Sequence, residues 1–447
     1  MFYRSVKLTL LFLALAGALF AQKLNVQKPS FDVLSYNAAL QPKFDDRSIA
    51  GNVSIEFVSL ADGLEEIKLS AGALEITSVK ENLTDLTFQK KDSFLIIKLS
   101  RPLKLNERRE IKIAYHGVPK YGMEFFPEQR QVYTIFSTSQ WMPCVDSPDD
   151  RATFRLELIF PDDALSAVGN GRLVSQSIEY ISPQSSRYVW EEKNPIPTYL
   201  FGFAAGKFKT VIEAHKKTNF QYLVPPGFSE METRQIFRDS ADMLDFFESK
   251  AGVKYPEKTY TQVLALGNAQ QEMGSFSALN EKYGRGVLKD EKAIWLGVHE
   301  FAHQWWGNMV TNRDWTHFWL NEGIANFMTA AYLEHRFGRA EYLSEIKRYR
   351  ESYQRVRDAG NDKSLVFPDW NKPTRDDRRL VYDKGAYVTH LLREELGEES
   401  FWKGIKKYTR KYRGRSVETK DLKSSMEAAS GKDLSDFFDK WVYNKGK

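Results

Sequence analysis

The sequence predicts an α+β protein whose two kinds of structure are kept apart, an N-terminal half that is almost wholly β and a second half that is mainly helical. Three observations lead there: the apolar period along the chain, the place where that period changes, and the composition. From about Asp32 to Phe208 short alternating stretches are divided by turn residues. Asn52-Val53-Ser54-Ile55-Glu56-Phe57-Val58 and Arg155-Leu156-Glu157-Leu158-Ile159-Phe160 alternate with period two, the mark of half-buried strands, and Asn170-Gly171 is a tight-turn signal. After Pro225-Pro226-Gly227 the period lengthens. Ser229 and Glu232 have capping-box spacing, and Ile236, Met243, Leu244, Phe247 and Ala251 follow as one helix that Gly252 ends. Helices then dominate to the end, with Gly338, Gly397 and Gly431 each placed as a terminator.

The composition bounds the class. With 447 residues, 42% apolar, 14% aromatic and 28% charged, the chain is neither disordered nor low in complexity, and it is long enough for two to three domains. Sixty-four Lys and Arg against 59 Asp and Glu leave +5, a mild excess spread along the chain, which does not point to nucleic acid or an anionic membrane. The basic run Lys403 to Arg415, interleaved with Trp402, Ile405 and Tyr408, reads as the solvated face of an amphipathic helix. One cysteine, Cys144, can neither close an internal disulfide nor build a thiolate site, so it reads as a small buried hydrophobe. Any metal must therefore be held by His and carboxylates.

Arg4 and Lys7 precede the apolar run Leu8 to Phe20 and the small residues Ala16, Gly17, Ala18 and Ala21, the layout of a secretory signal peptide. The run has 13 residues against the roughly 20 of a spanning helix, so it predicts cleavage rather than permanent anchoring. The expected organisation is a signal peptide at 1–21, a β domain at 22–207 and a mainly helical domain at 208–447. The expected location is secreted or periplasmic, with no stable membrane insertion after cleavage.

The chemistry is concentrated in Val298-His299-Glu300-Phe301-Ala302-His303. His299 and His303 are four apart, so on a helix both imidazoles leave one face and converge on one ion. Glu300 projects beside them, unsuited to be a ligand but able to reach a water. With eighteen residues between, His303 is followed by Glu322, in Asn321-Glu322-Gly323, far enough for the chain to turn and a second helix to return its carboxylate to the ion. Two neutral imidazoles and one carboxylate leave a fourth tetrahedral position open, which separates a catalytic zinc site from a closed structural one. A metal so held lowers the pKa of water toward about 7, and Glu300 is the general base that takes its proton and returns it to a leaving amine. His317 lies within the block, yet the ligand set is complete without it.

This pattern is similar to the gluzincin clan and in particular to the M1 family of zinc aminopeptidases. The likeness extends through Gln304-Trp305-Trp306-Gly307-Asn308, Val310-Thr311, Trp319-Leu320 and Tyr382-Asp383-Lys384-Gly385. It reaches into the β half at Pro143-Cys144-Val145-Asp146-Ser147-Pro148. The resemblance implies a saddle-like β domain followed by a thermolysin-like catalytic domain, one Zn2+ per chain, and removal of N-terminal residues from peptides with a free N-terminus. By the same resemblance Tyr382, one tyrosine among 21, donates to the oxygen on which negative charge develops. The family's carboxylate for the substrate's ammonium maps onto Glu272, after the apolar strand Tyr260 to Leu266 and 27 residues before His299. A solvated strand-end glutamate is the other reading. The family's glutamine that frames the first-residue pocket maps onto Gln140, where an ordinary loop glutamine fits equally well.

Three departures from the family pattern stand out. The family's Gly-Ala-Met-Glu-Asn is replaced here by Asn268-Ala269-Gln270-Gln271-Glu272-Met273-Gly274. The stretch Thr138-Ser139-Gln140-Trp141-Met142 leads straight into Pro143, a shortening. The sequence also ends at Lys447, about where the catalytic domain closes, so it reads as a short form without the helical C-terminal domain and with a more open cleft. A related zinc hydrolase that does not need a free N-terminus, and a non-catalytic peptide-binding homologue, are the alternatives.

Overall fold

The computed structural model describes residues 30–161, 165–179, 185–367, 370 and 373–444, so the expected signal peptide lies outside the described residues. In the first half, strands Phe31–Lys43 and Ser48–Ser59 run antiparallel at the centre of an eight-stranded sheet, with Arg151–Phe160 parallel to the first. The period-two alternation of Arg151–Phe160 sends Ala152, Phe154, Leu156, Leu158 and Phe160 inward. A three-stranded sheet (Leu64–Ser70, Phe94–Leu103, Phe88–Lys91) supplies Ile67, Leu69, Leu95 and Ile97 to the same core. Cys144 is fully buried there, its backbone bridged to Ser70, as a small hydrophobe should be. A four-stranded sheet (Ser166–Gly169, Phe203–Gly206, Gln131–Thr134, Met123–Phe126) lies against the second half. Asn170-Gly171 makes the turn into strand Arg172–Glu179.

The second half opens with a five-stranded sheet in the order Lys209–His215, Thr218–Val224, Thr259–Ala265, Phe276–Asn280, Gln270–Met273, which leaves the strand bearing Glu272 on the edge. Helices cover it. Ser229 and Glu232 form the capping box, and Gly252 caps in the left-handed conformation. The single helix expected between them is instead two, Glu230–Ile236 and Ser240–Ala251. The break has a packing cause. Phe237, one residue off the apolar face, turns in to stack on Tyr222 at 4.4 Å, and the Asp239 carboxylate that follows accepts from Arg336 at 2.9 Å. Gly338, Gly397 and Gly431 end their helices, and Lys403 to Lys411 lie on the helix Glu398–Tyr412.

The two halves meet along a hydrogen-bonded seam. Gln131 Oε1 accepts from Leu266 N at 2.6 Å, Asn170 Nδ2 donates to Gly274 O at 2.8 Å, and Arg151 donates to Thr311 Oγ1 at 2.8 Å and Asn308 O at 3.0 Å. At the same seam Asn194 bonds both Glu192 and Glu257, one carboxylate from each half. Burial, and then the charge of Glu257, push Glu192 up to about 8.

A carboxyl kept neutral in the fold but free to ionise when unfolded makes stability fall as pH rises from about 4.5 to about 8. Its contribution is fully present below that window and lost above it, at about 1.4 kcal/mol per pKa unit. Glu192→Gln therefore raises the melting temperature by several degrees at pH 8.5 and leaves it nearly unchanged at pH 4.5, as calorimetry at the two pH values will show.

Candidate metal centre

The helix Trp295–Ala302 carries His299, and His303 caps its C-terminus with backbone still helical. Their Nε2 atoms stand 3.0 Å apart. Glu322, in the first turn of the buried helix Trp319–Phe337, brings Oε2 to 3.4 Å from His299 Nε2 and 3.3 Å from His303 Nε2. A tetrahedral zinc with bonds of about 2.0–2.1 Å needs ligand edges of roughly 3.3 Å, so this triangle fits the ion. The chemistry of the atoms agrees. Glu322 Oε2 is buried without a hydrogen-bond partner, and His303 Nδ1 donates to Trp306 O at 3.0 Å, which leaves the Nε2 lone pair facing inward. Gly307, at φ 137°, makes that turn possible, because a Cβ there would stand 2.8 Å from His303 Nδ1.

Glu300 and Glu272 join the same patch. Their carboxylates and a His303 ring nitrogen lie within 4.8 Å of one another, so His303 is shared between the ligand triangle and the two acids. Glu272 is 4% exposed on the edge strand. One of its oxygens accepts from Gln271 at 2.6 Å, and the other has no partner. Glu300 Oε2 likewise has none. Two side-chain amides fix this strand, since Gln304 Nε2 and Asn308 Nδ2 both donate to Met273 O, at 3.0 and 3.2 Å. Ser275, in the following turn, holds φ 70°, a strain that persists because Gln304 Oε1 takes its N–H and Gly171 N donates to its hydroxyl.

The charges are strongly coupled. Burial pushes Glu272 up to about 7 and raises Glu300, whose proton the neighbouring Glu272 charge also favours. Burial would raise Glu322 too, but the two imidazoles carry it down to about 2. Burial and its neighbour His303 press His299 down to about 4. His303 goes up to about 10, because Glu322 and Glu272 outweigh its burial. Three carboxylates thus crowd two imidazoles where water cannot screen them, a distribution that a divalent cation relieves.

Tyr382 stands beside His299, the rings 6.3 Å apart, with its hydroxyl facing Glu322. Burial first and the carboxylates next raise its pKa well above 10, so the phenol keeps its proton at neutral pH. It lies in a π-turn, Leu380–Lys384, a widened turn that helix periodicity cannot announce. Two contacts fix that turn. Lys384, fully buried, donates to Asp362 at 2.8 Å, Lys363 O at 2.8 Å and Asn444 Oδ1 at 3.0 Å. Gly385 meets Gly323 so closely that a Cβ on Gly323 would stand 2.8 Å from Gly385 Cα. The glycines after Glu322 and after Lys384 thus let the helix that carries Glu322 touch the chain just after the turn of Tyr382.

Gln140 is not brought into this patch. It ends a 3-10 turn, Thr138–Gln140, with its side chain against Gly72 and Gly122. Among the described residues it makes no hydrogen bond to the patch. His317 bonds Thr419, outside the ligand set. Several contributors carry no motif signal. Trp295 stacks on His299 at 4.9 Å, and Phe136 (φ 53°), Trp315 and Phe318 form an aromatic wall that reaches Tyr382. The aromatic content of Trp315-Thr316-His317-Phe318-Trp319 is the only hint of that wall in the sequence.

Comparison with known proteins gives a consistent result. Residues 33–200 match the peptidase M1 N-terminal domain and residues 237–441 the peptidase family M1 domain. The chain is 28% identical to aminopeptidase N of Lactococcus lactis subsp. lactis, over 93% of this chain and 51% of that protein. It is 26% identical to probable aminopeptidase 1 of Sulfurisphaera tokodaii, over 90% and 52%. It therefore spans about half the length of these relatives. In fold it resembles a mutant M1 zinc metallopeptidase of Deinococcus radiodurans bound to a Tyr-Ser-Ala substrate (TM-score 0.78, 21% identity, covering 94% of this chain and 95% of that one). It also resembles yeast LTA4 hydrolase in complex with bestatin (TM-score 0.80, 22% identity, covering 93% and 68%).

The glycine contact generates a prediction. Gly323→Ala forces the two helices apart against backbone rather than against a flexible side chain, which typically costs about 1–3 kcal/mol. It should lower the melting temperature and lower turnover further than the stability loss explains; thermal denaturation and kinetics on the same preparation test this.

Proposed function

We infer the activity from one premise: the chain belongs to peptidase family M1. On it we propose a zinc-dependent aminopeptidase that hydrolyses the first peptide bond of substrates with a free N-terminus. The observation that carries the proposal is the shared patch in which His299, His303 and Glu322 form a zinc-sized triangle while Glu300 and Glu272 meet at His303. The names of the relatives support the same reading.

Zinc, when bound, supplies a Lewis acid that makes water nucleophilic near neutral pH and polarises the scissile carbonyl. The chain's own residues do the rest. Glu300, its Oε2 uncommitted, takes the attacking water's proton and passes it to the leaving amine. The protonated phenol of Tyr382 donates to the carbonyl oxygen as charge develops there. Glu272, buried and with one free oxygen, pairs with the substrate's ammonium and sets which bond lies over the base. Its position beside His303 favours this role over a solvated strand-end glutamate and removes the support for an enzyme indifferent to the N-terminus.

The N-terminal segment supports a secreted or periplasmic protein. No helix among the described residues is long and apolar enough to cross a membrane.

Glu300→Gln should keep its zinc by metal analysis and lose about two to four powers of ten in turnover; near-normal activity would exclude Glu300 as the base. Free aminoacyl reporters should be cleaved, N-acetylated ones should not, and chelation should abolish activity until zinc is returned. Glu272→Ala should raise KM for free peptides at least tenfold and barely alter residual cleavage of blocked ones. Equal cleavage of free and blocked peptides by the unmodified chain would refute the aminopeptidase reading.

A further inference from the structure

The three ligands come from two segments, and something must fix the distance between them. The first segment ends in the turn His303 to Gly307, and the second is the helix Trp319–Phe337, with Asn321 in its first turn. A side chain from the β half reaches both. Tyr199 is 1% exposed, and its hydroxyl donates to Gly307 O at 3.1 Å and accepts from Asn321 Nδ2 at 3.1 Å. Gly307 O belongs to the residue packed under the His303 ring, and Asn321 immediately precedes Glu322 in the chain. The remaining face of Asn321 is also used, since its Oδ1 accepts from Asn312 N at 3.1 Å.

Tyr199 is itself rigidly held. It sits in the 3-10 turn Thr198–Leu200, where Thr138 Oγ1 donates to Thr198 O at 2.6 Å and Thr198 Oγ1 donates to Val145 O at 2.7 Å. Its ring lies against Phe136 at 5.0 Å and Trp315 at 5.2 Å. Among the described residues, Arg151 also reaches this region from the β half, but its bonds go to Asn308 O and Thr311 Oγ1, just after the first segment, and not to the helix of Glu322.

We propose that Tyr199 is a positioning residue of the metal centre, through which the β half sets the spacing between the segment carrying His303 and the segment carrying Glu322. This rests on the zinc reading above. Groups that orient ligands from behind typically change metal affinity ten- to a hundredfold when removed, whereas loss of a buried packing contact lowers stability without regard to metal. The two roles can therefore be told apart.

The test is Tyr199→Phe in the full chain, which removes one oxygen and keeps the ring. Zinc affinity is read by competition with a chromogenic chelator, and melting temperature is read with and without zinc. The inference expects affinity to fall at least tenfold, and the stabilisation given by zinc to shrink accordingly. Affinity within twofold of the unmodified chain, with equal losses of melting temperature in both states, overturns it. Asn321→Ala should give a similar loss of affinity, and the double variant should lose little more than either single one; full additivity also overturns the inference. Should Tyr199→Phe not fold, unchanged zinc affinity in Asn321→Ala decides against it. An unmodified chain that takes up no zinc overturns both this inference and the enzymatic reading, while a zinc-binding chain indifferent to Tyr199→Phe overturns this one alone.

Discussion

The structure depends on holding two imidazoles and a carboxylate on a triangle about 3 Å on a side, away from water, with two more carboxylates against it. Such an arrangement is unfavourable in itself. Buried like charges repel, and each acid without a partner carries a desolvation cost that packing elsewhere must offset. The rest of the fold answers that cost with rigidity. His299 and Glu322 stand on helices, His303 caps the first of them, and the edge strand is clamped by Gln304 and Asn308. The helix of Glu322 is buried along most of its length.

Much of this could be read from the sequence, because the relevant signals are local. Spacing of four between His299 and His303 says same helix face, and a capping box or a terminal glycine speaks about a single turn. Period two in Arg155 to Phe160 says strand for the same reason. The pairing of Glu322 with the two histidines needed a chain of 18 residues to return, and the motif around it supplied that information where periodicity could not.

What stayed hidden is set by tertiary contact. The break at Phe237 comes from a stacking partner on a strand, Tyr222, that helix propensity does not see. The π-turn beneath Tyr382 is stabilised by Lys384 reaching Asp362 and Asn444, residues 22 and 60 positions away. Gly323 and Gly385 look like poor helix residues until the two helices are seen to cross there. Tyr199, 122 residues from its partner Asn321, belongs to the same class.

On the proposed aminopeptidase reading, the charge balance of the patch gives a physical reason for a free N-terminus. With a divalent cation held by neutral His299 and His303, and with Glu322, Glu300 and Glu272 ionised, the patch carries one uncompensated negative charge. Burial disfavours the charged form of Glu272, so that charge sits where it is least welcome. A substrate ammonium cancels it and lets Glu272 ionise at no electrostatic loss, while an acylated N-terminus leaves either an unpaired buried carboxylate or a protonated one with nothing to attract. The discrimination is then asymmetric in the way buried polar sites usually are: the wrong substrate is penalised by the unpaired group it leaves behind more than the right one is rewarded by contact. Because the Glu272 charge is one of the causes that favour a proton on Glu300, an ammonium paired with Glu272 would remove one reason for Glu300 to hold that proton.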